Sequence, residues 1–128
     1  MNSPQKELLG SWHVEITTPT QRGPGLLTFT ADGSVIADES PLPFESTAHG
    51  AWVSRGPRDV AYTFVALMGS QEGKNAGKLK VVGTLQFDVG TASWRGPFKI
   101  DVFDAGGQVT YADRGTFDLT RIAVESLD

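Results

Sequence analysis

The chain is organised as eight β-rich runs, joined by connections that alternate between longer and shorter ones. Apolar and polar residues alternate within many of the runs, and this period of two is typical of a strand with one buried face. In a meander that closes on itself, the odd connections lie at one end and the even ones at the other. The odd connections, at about residues 18–25, 39–47, 69–77 and 104–107, are mostly longer than the even ones, at about 31–33, 55–58 and 88–90. We therefore predict an all-β fold, an eight-stranded antiparallel up-and-down barrel, with its open mouth at the odd end.

The same pattern assigns the individual elements. A short helical segment is expected over residues 3–9, and the Asp32-Gly33 pair is the strongest hairpin signal in the chain. Pro97 cannot donate a hydrogen bond to a neighbouring strand, so a bulge or a gap is expected there. The strands are predicted at residues 12–17, 26–30, 34–38, 47–54, 60–68, 78–87, about 94–102 and 108–122, the last with a break at 113–115.

Composition disfavours several classes of function. The 128 residues suffice for a single domain, covering 1–128, with one core. The chain has no cysteine, and its two histidines lie 36 positions apart without a zinc pattern, so we expect no disulfide, metal or cofactor. A formal net charge of −4 disfavours nucleic-acid binding, and no apolar run is long enough for a membrane helix. The absence of a signal peptide and of cysteine indicates the cytoplasm, although an exported chain that had lost its signal would look the same.

Short motifs at the two ends of the strand pattern resemble a known superfamily. Gly10-Ser11-Trp12 opens the first strand and Thr120-Arg121 closes the last. Together they resemble the terminal signature of the calycins, which include lipocalins, fatty-acid-binding proteins and avidins, and the chain is also similar to small bacterial lipocalin-like barrels. The resemblance implies that Trp12 plugs the barrel floor and that Arg121 stacks on it. A guanidinium over an indole gains cation–π and packing energy, so we expect this pair to be structural.

His49 is the candidate catalytic residue, because it follows the third connection and histidine titrates near working pH. With a nearby acid it could act as a general base, and a tyrosine could serve as the matching acid or oxyanion donor. In the alternative interpretation, His49 bonds a backbone carbonyl or points to solvent, since the pattern does not show which face of strand four is internal. The candidate acids are Asp38, Glu39 and Glu45, and the candidate tyrosines are Tyr111 and Tyr62.

Two features are expected near the mouth. The segment 40–45 is stiffened by two prolines and carries Leu42 and Phe44, which could form a lid, plug an empty barrel or contact a second subunit. A hairpin near the mouth carries three lysines, which we interpret as keeping it soluble: Lys74, Lys78 and Lys80. In the alternative interpretation, they contact an anionic group on a ligand at the mouth.

Two hypotheses about function follow from a barrel with an open mouth. The favoured one is a protein that binds a small apolar or aromatic molecule in its lumen, as a monomer or a homodimer. The other is a cofactor-independent cyclase, isomerase or dehydratase of secondary metabolism, in which the lumen folds the substrate and His49 and Tyr111 move protons. The predicted ligand-binding residues are Tyr62, Phe64, Trp94, Phe98, Phe44, Met68 and Trp52.

Overall fold

The structure, a computed structural model, describes residues 3–39 and 44–128. Each strand pairs antiparallel with its neighbour in the chain, and the first strand also pairs with the last, so the sheet closes into a barrel. The predicted fold class, an all-β eight-stranded antiparallel up-and-down barrel with a short N-terminal helical turn, is confirmed. The elements are α1 (Ser3–Leu8), β1 (Gly10–Thr17), β2 (Arg22–Phe29), β3 (Ser34–Glu39), β4 (Ala48–Gly56), β5 (Asp59–Gly69), β6 (Asn75–Asp88), β7 (Ser93–Phe103) and β8 (Val109–Arg121).

The alternating pattern along each strand determines which residues enter the barrel. On β4, Ala48 and Trp52 are buried while His49, Ala51 and Val53 are exposed, so the face that carries Trp52 is internal. On β5 and β6 the internal faces are the ones with the larger apolar side chains. Apolar side chains on these faces leave water together, which is the main favourable term in folding.

The most deeply buried side chains are concentrated near one end of the barrel. They lie close to the even connections, where β1, β3, β5 and β7 begin and β2 and β6 end. This half of the barrel, called the floor half below, is therefore solid. Its largest buried side chains are Trp12, Trp94, Phe29, Leu8, Leu85, Val35 and Val60.

Trp12 and Arg121 lie in contact at the floor, beneath the end of α1. The guanidinium carbon of Arg121 lies 4.2 Å from the centroid of the Trp12 ring. Arg121 donates to the carbonyls of Glu7 and Leu9, and the Trp12 indole donates to the carbonyl of Leu8 at 2.8 Å. These carbonyls lie at the C-terminal end of the helix, where they lack partners within the helix and where a positive charge is favourable. The two side chains therefore fix α1 across the floor.

The strand boundaries differ from the prediction at the odd connections. β2 begins at Arg22 and β6 at Asn75, earlier than predicted, so the 40–47 connection is the longest in the barrel. Glycine and proline around Pro24 look like a loop in sequence, yet Gly23 and Gly25 pair with β1. The contrast between long and short connections is therefore weaker than the sequence indicates.

The predicted break in the last strand is wrong. Asp113, Arg114 and Gly115 pair in register with β7, and β8 runs without interruption. A gap does occur at Pro97, because the β6–β7 pairing stops at Phe98 and resumes in the same register at Arg95. Proline has no backbone N–H to donate, and this accounts for the gap in the pairing.

Candidate functional site

A cavity of about 480 Å³ occupies the half of the barrel opposite the floor. Thr18 and Gln21, from the β1–β2 connection, and Glu45, from the β3–β4 connection, form part of its rim. The cavity therefore opens at the end with the odd connections, where the sequence predicts the mouth. Its size is typical of a site for a small organic molecule.

The wall of the cavity below the rim is apolar. Phe64, Phe98 and Met68, which are predicted ligand-binding residues, line it. So do further apolar residues from seven of the strands: Val14, Ile16, Leu26, Leu27, Ala37, Ala48, Leu79, Val81, Ile100, Val102 and Phe117.

Stacked aromatic rings form the bottom of the cavity. Phe98 and Phe117 lie with ring centroids 4.4 Å apart. Tyr62 stacks on Phe117 at 6.0 Å and on Phe64 at 5.8 Å. Tyr62 itself is buried and does not line the cavity, so it supports the wall from behind. Burial raises the pKa of Tyr62, whose hydroxyl has no hydrogen-bond partner.

Two glycines leave the space that these rings occupy. A Cβ atom on Gly83 would lie 2.3 Å from the hydroxyl oxygen of Tyr62, and one on Gly115 would lie 2.8 Å from the Phe98 ring. Both distances are shorter than real contacts allow. The side chain of Tyr62 therefore lies over Gly83.

Three of the other predicted ligand-binding residues lie away from the cavity. Trp52 belongs to the floor half, where its indole donates to the carbonyl of Thr30 at 3.0 Å and its ring packs edge-on against Phe29. Trp94 is fully buried against Phe87, with ring centroids 5.2 Å apart. Phe44 is 48% exposed and is not part of the lining, and Leu42 lies outside the described residues. The size of a tryptophan side chain indicates that it is internal. It does not indicate how deep in the barrel the side chain lies.

His49 points away from the lumen, so the expectation that it acts there as a general base is corrected. Its side chain is exposed, and its cross-strand neighbours are Ile36 and Val65 on the outer face. The reason is the period of two along β4. Because Ala48 and Trp52 face inward, His49 must face outward.

Carboxyl groups form one side of the rim. Asp38 and Glu39 end β3, and Glu45 lies in the connection to β4; all three line the cavity. Burial raises the pKa of Glu45 to about 7, with smaller contributions from the charges of Glu39 and Asp38. Burial also raises the pKa of Glu39. One carboxyl oxygen of Glu45 is buried without a hydrogen-bond partner, whereas Asp38 accepts a hydrogen bond from Thr47 at 2.9 Å.

Two other polar side chains of the rim already have partners. Tyr111, the second predicted catalytic residue, lines the cavity and donates to Asp113 at 2.9 Å, which raises the pKa of Tyr111. Arg22 also lines the cavity but bonds Glu15 at 3.0 Å. Asp113, which accepts the hydrogen bond from Tyr111, belongs to β8. Its pairing with Ile100, an internal residue of β7, places it on the inner face.

The lysines of the β5–β6 hairpin lie outside the lumen. Lys78 and Lys80 lie over the ring of Phe103, with their nitrogens 5.8 and 5.5 Å from its centroid. Neither lysine lines the cavity. Among the described residues, these two lysines therefore make no contribution to the lining of the cavity.

Neither a metal site nor a membrane-spanning helix is present in the described part of the chain. Among the residues that the structure describes, no group of three or more His, Asp or Glu side chains is placed to hold a metal ion. Within the same residues no helix is long and apolar enough to cross a membrane. Comparison with known proteins finds no matching family model and no significantly similar curated protein or solved structure.

Proposed function

We propose that this protein binds a small apolar or aromatic molecule in the lumen of its barrel. The observation that carries the proposal is the cavity of about 480 Å³, which is open at one end and apolar below its rim. Each 100 Å² of apolar ligand surface that leaves water contributes about 2.5 kcal/mol before the costs of association. The stacked rings of Phe98 and Phe117 offer a flat surface for an aromatic ligand.

An enzyme that uses the same lumen is the less favoured function. The proposed cyclase, isomerase or dehydratase needed His49 inside the mouth, and that side chain is on the outer face. Tyr111 is at the rim, but its hydroxyl is bonded to Asp113. A mainly apolar wall fits retention of a ligand better than proton transfer.

We also propose kinship with the calycins. Two observations support it: the closed barrel in chain order, and the stacking of Arg121 on Trp12 beneath a short helix. The kinship concerns architecture and says nothing about which molecule is bound.

Titration with an apolar fluorescent probe, naphthylmethanol, tests the proposed function. We expect one probe per chain and a higher thermal midpoint at increasing probe concentration, because the ligand stabilises only the folded state. Ala48→Phe should abolish binding, since Ala48 lines the cavity and a phenyl ring would fill it.

The matched control is Ala51→Phe, which makes the same change on the outer face of β4. It should leave binding unaltered. If Ala48→Phe does not fold, Ala37→Phe on β3 fills the same space. Equal binding to the lumen-filling and control variants would overturn the proposal.

A further inference from the structure

We propose that the bound molecule is a cation, with a protonated amine held at the rim by Glu45 and Glu39 and an apolar body inside the barrel. This inference rests on the proposed function and adds the chemical class of the ligand.

The charges at the rim are strongly asymmetric. Four of the described residues that line the cavity are acidic, and Arg22 is the one basic residue among them. Arg22 is engaged by Glu15, which leaves the acids without a neutralising cation. The residues at 40–43, outside the described part, are Ser, Pro, Leu and Pro and add no charge. The acids are Asp38, Glu39, Glu45 and Asp113.

Among the four acids, Glu45 is the one with a buried carboxyl oxygen that lacks a hydrogen-bond partner. Asp113 accepts from Tyr111 and from the backbone of Arg114, and Asp38 accepts from Thr47. A buried carboxyl oxygen of Glu45 has no hydrogen-bond partner among the residues that the structure describes. A buried polar atom without a partner is costly, and an N–H donor on a ligand would remove that cost.

The electrostatic state of Glu45 supports the same conclusion. Burial is the main cause of its raised pKa, and the charges of Glu39 and Asp38 add to it, so a negative charge is unfavourable at this position. A cation within about 4–6 Å of a carboxylate favours the charged form and would reverse this effect. An anionic ligand such as a fatty acid would place its carboxylate among these acids and would be disfavoured.

The geometry suits a molecule with one charged end. The acids lie at the rim, whereas Phe64, Phe98 and Phe117 lie deeper in the cavity. A ligand that placed its ammonium at the rim would bury its apolar part and keep its charge near water.

Three probes with the same ring system test the charge preference: naphthylmethylamine, naphthylmethanol and naphthoate. Their affinities should be measured by calorimetry at low ionic strength, at a pH between the pKa of Glu45 and that of the amine. We expect the amine to bind at least about tenfold more tightly than the alcohol, and naphthoate to bind most weakly. Added salt should reduce the preference, because the rim is partly exposed.

Glu45→Gln should lower the affinity for the amine far more than the affinity for the alcohol, so that most of the preference for the amine is lost. The matched control is Glu125→Gln in the exposed C-terminal segment, which should keep the preference. Equal affinity for amine and alcohol, or tighter binding of naphthoate, would overturn the charge preference while the proposed function stands. Failure of all three probes to bind would overturn the proposed function itself.

Discussion

At the scale of single residues, the protonation of Glu45 at the rim of the cavity makes the stability of the fold depend on pH. Its pKa in the folded chain is about 7, above the ordinary value of 4.5, and burial is the largest cause. The folded state therefore holds the proton more tightly than the unfolded state. By linkage, the stabilising contribution of protonated Glu45 is complete below about pH 4.5 and is lost as the pH rises to about 7.

The first prediction follows from the direction of this pKa shift. Between about pH 5 and about pH 8, the wild-type chain should lose more stability than Glu45→Gln, because the amide does not ionise. Urea unfolding of both chains at the two pH values measures the difference, with Glu125→Gln as the control. The opposite sign would mean that Glu45 is better solvated than its buried oxygen indicates. The other charged or titratable groups that line the cavity are Asp38, Glu39, Arg22, Tyr111 and Asp113, and they remain in both chains.

At the scale of elements, the attachment of α1 to the floor depends on Trp12 and Arg121. Trp12→Ala should lower the free energy of unfolding by about 3–5 kcal/mol, as for other buried aromatics. Arg121→Ala should cost less, and the double variant should cost less than the sum, because the two side chains are in contact. Chemical denaturation of the four chains measures the coupling. Strictly additive losses would show that the stacking contributes nothing.

The elements themselves were predictable to different degrees. Alternation identified the β-rich runs, and the Asp-Gly pair identified the hairpin at Asp32-Gly33, since these are properties of neighbouring residues. The start of β2 at Arg22 and the continuity of β8 at Asp113 were not predictable, because pairing with adjacent strands overrides weak strand propensity there.

At the scale of the whole molecule, barrel closure determines which predicted residues meet. Phe64, Phe98 and Met68 were found from the sequence because large apolar residues on an inner face must fill or line the lumen. The depth of Trp52 and Trp94 depends on strand register and shear, which no local pattern reveals. The outward direction of His49 follows from the period of two once Trp52 is known to face inward. The acidic rim was visible only in part. Three of its acids lie close together in the sequence, at the end of β3 or in the connection that follows: Asp38, Glu39 and Glu45. The fourth, Asp113, belongs to β8.

The central claim is that a ligand enters the mouth half and stops above the solid floor. Intermolecular nuclear Overhauser effects between bound naphthylmethanol and the methyl groups of the protein test it most directly. We predict contacts from the naphthalene ring to Val81, Leu79 and Val14, which line the cavity. No contacts are expected to Val60 or Leu85, which are buried in the floor half. Contacts confined to exposed methyl groups on the outer face of the barrel would contradict the claim.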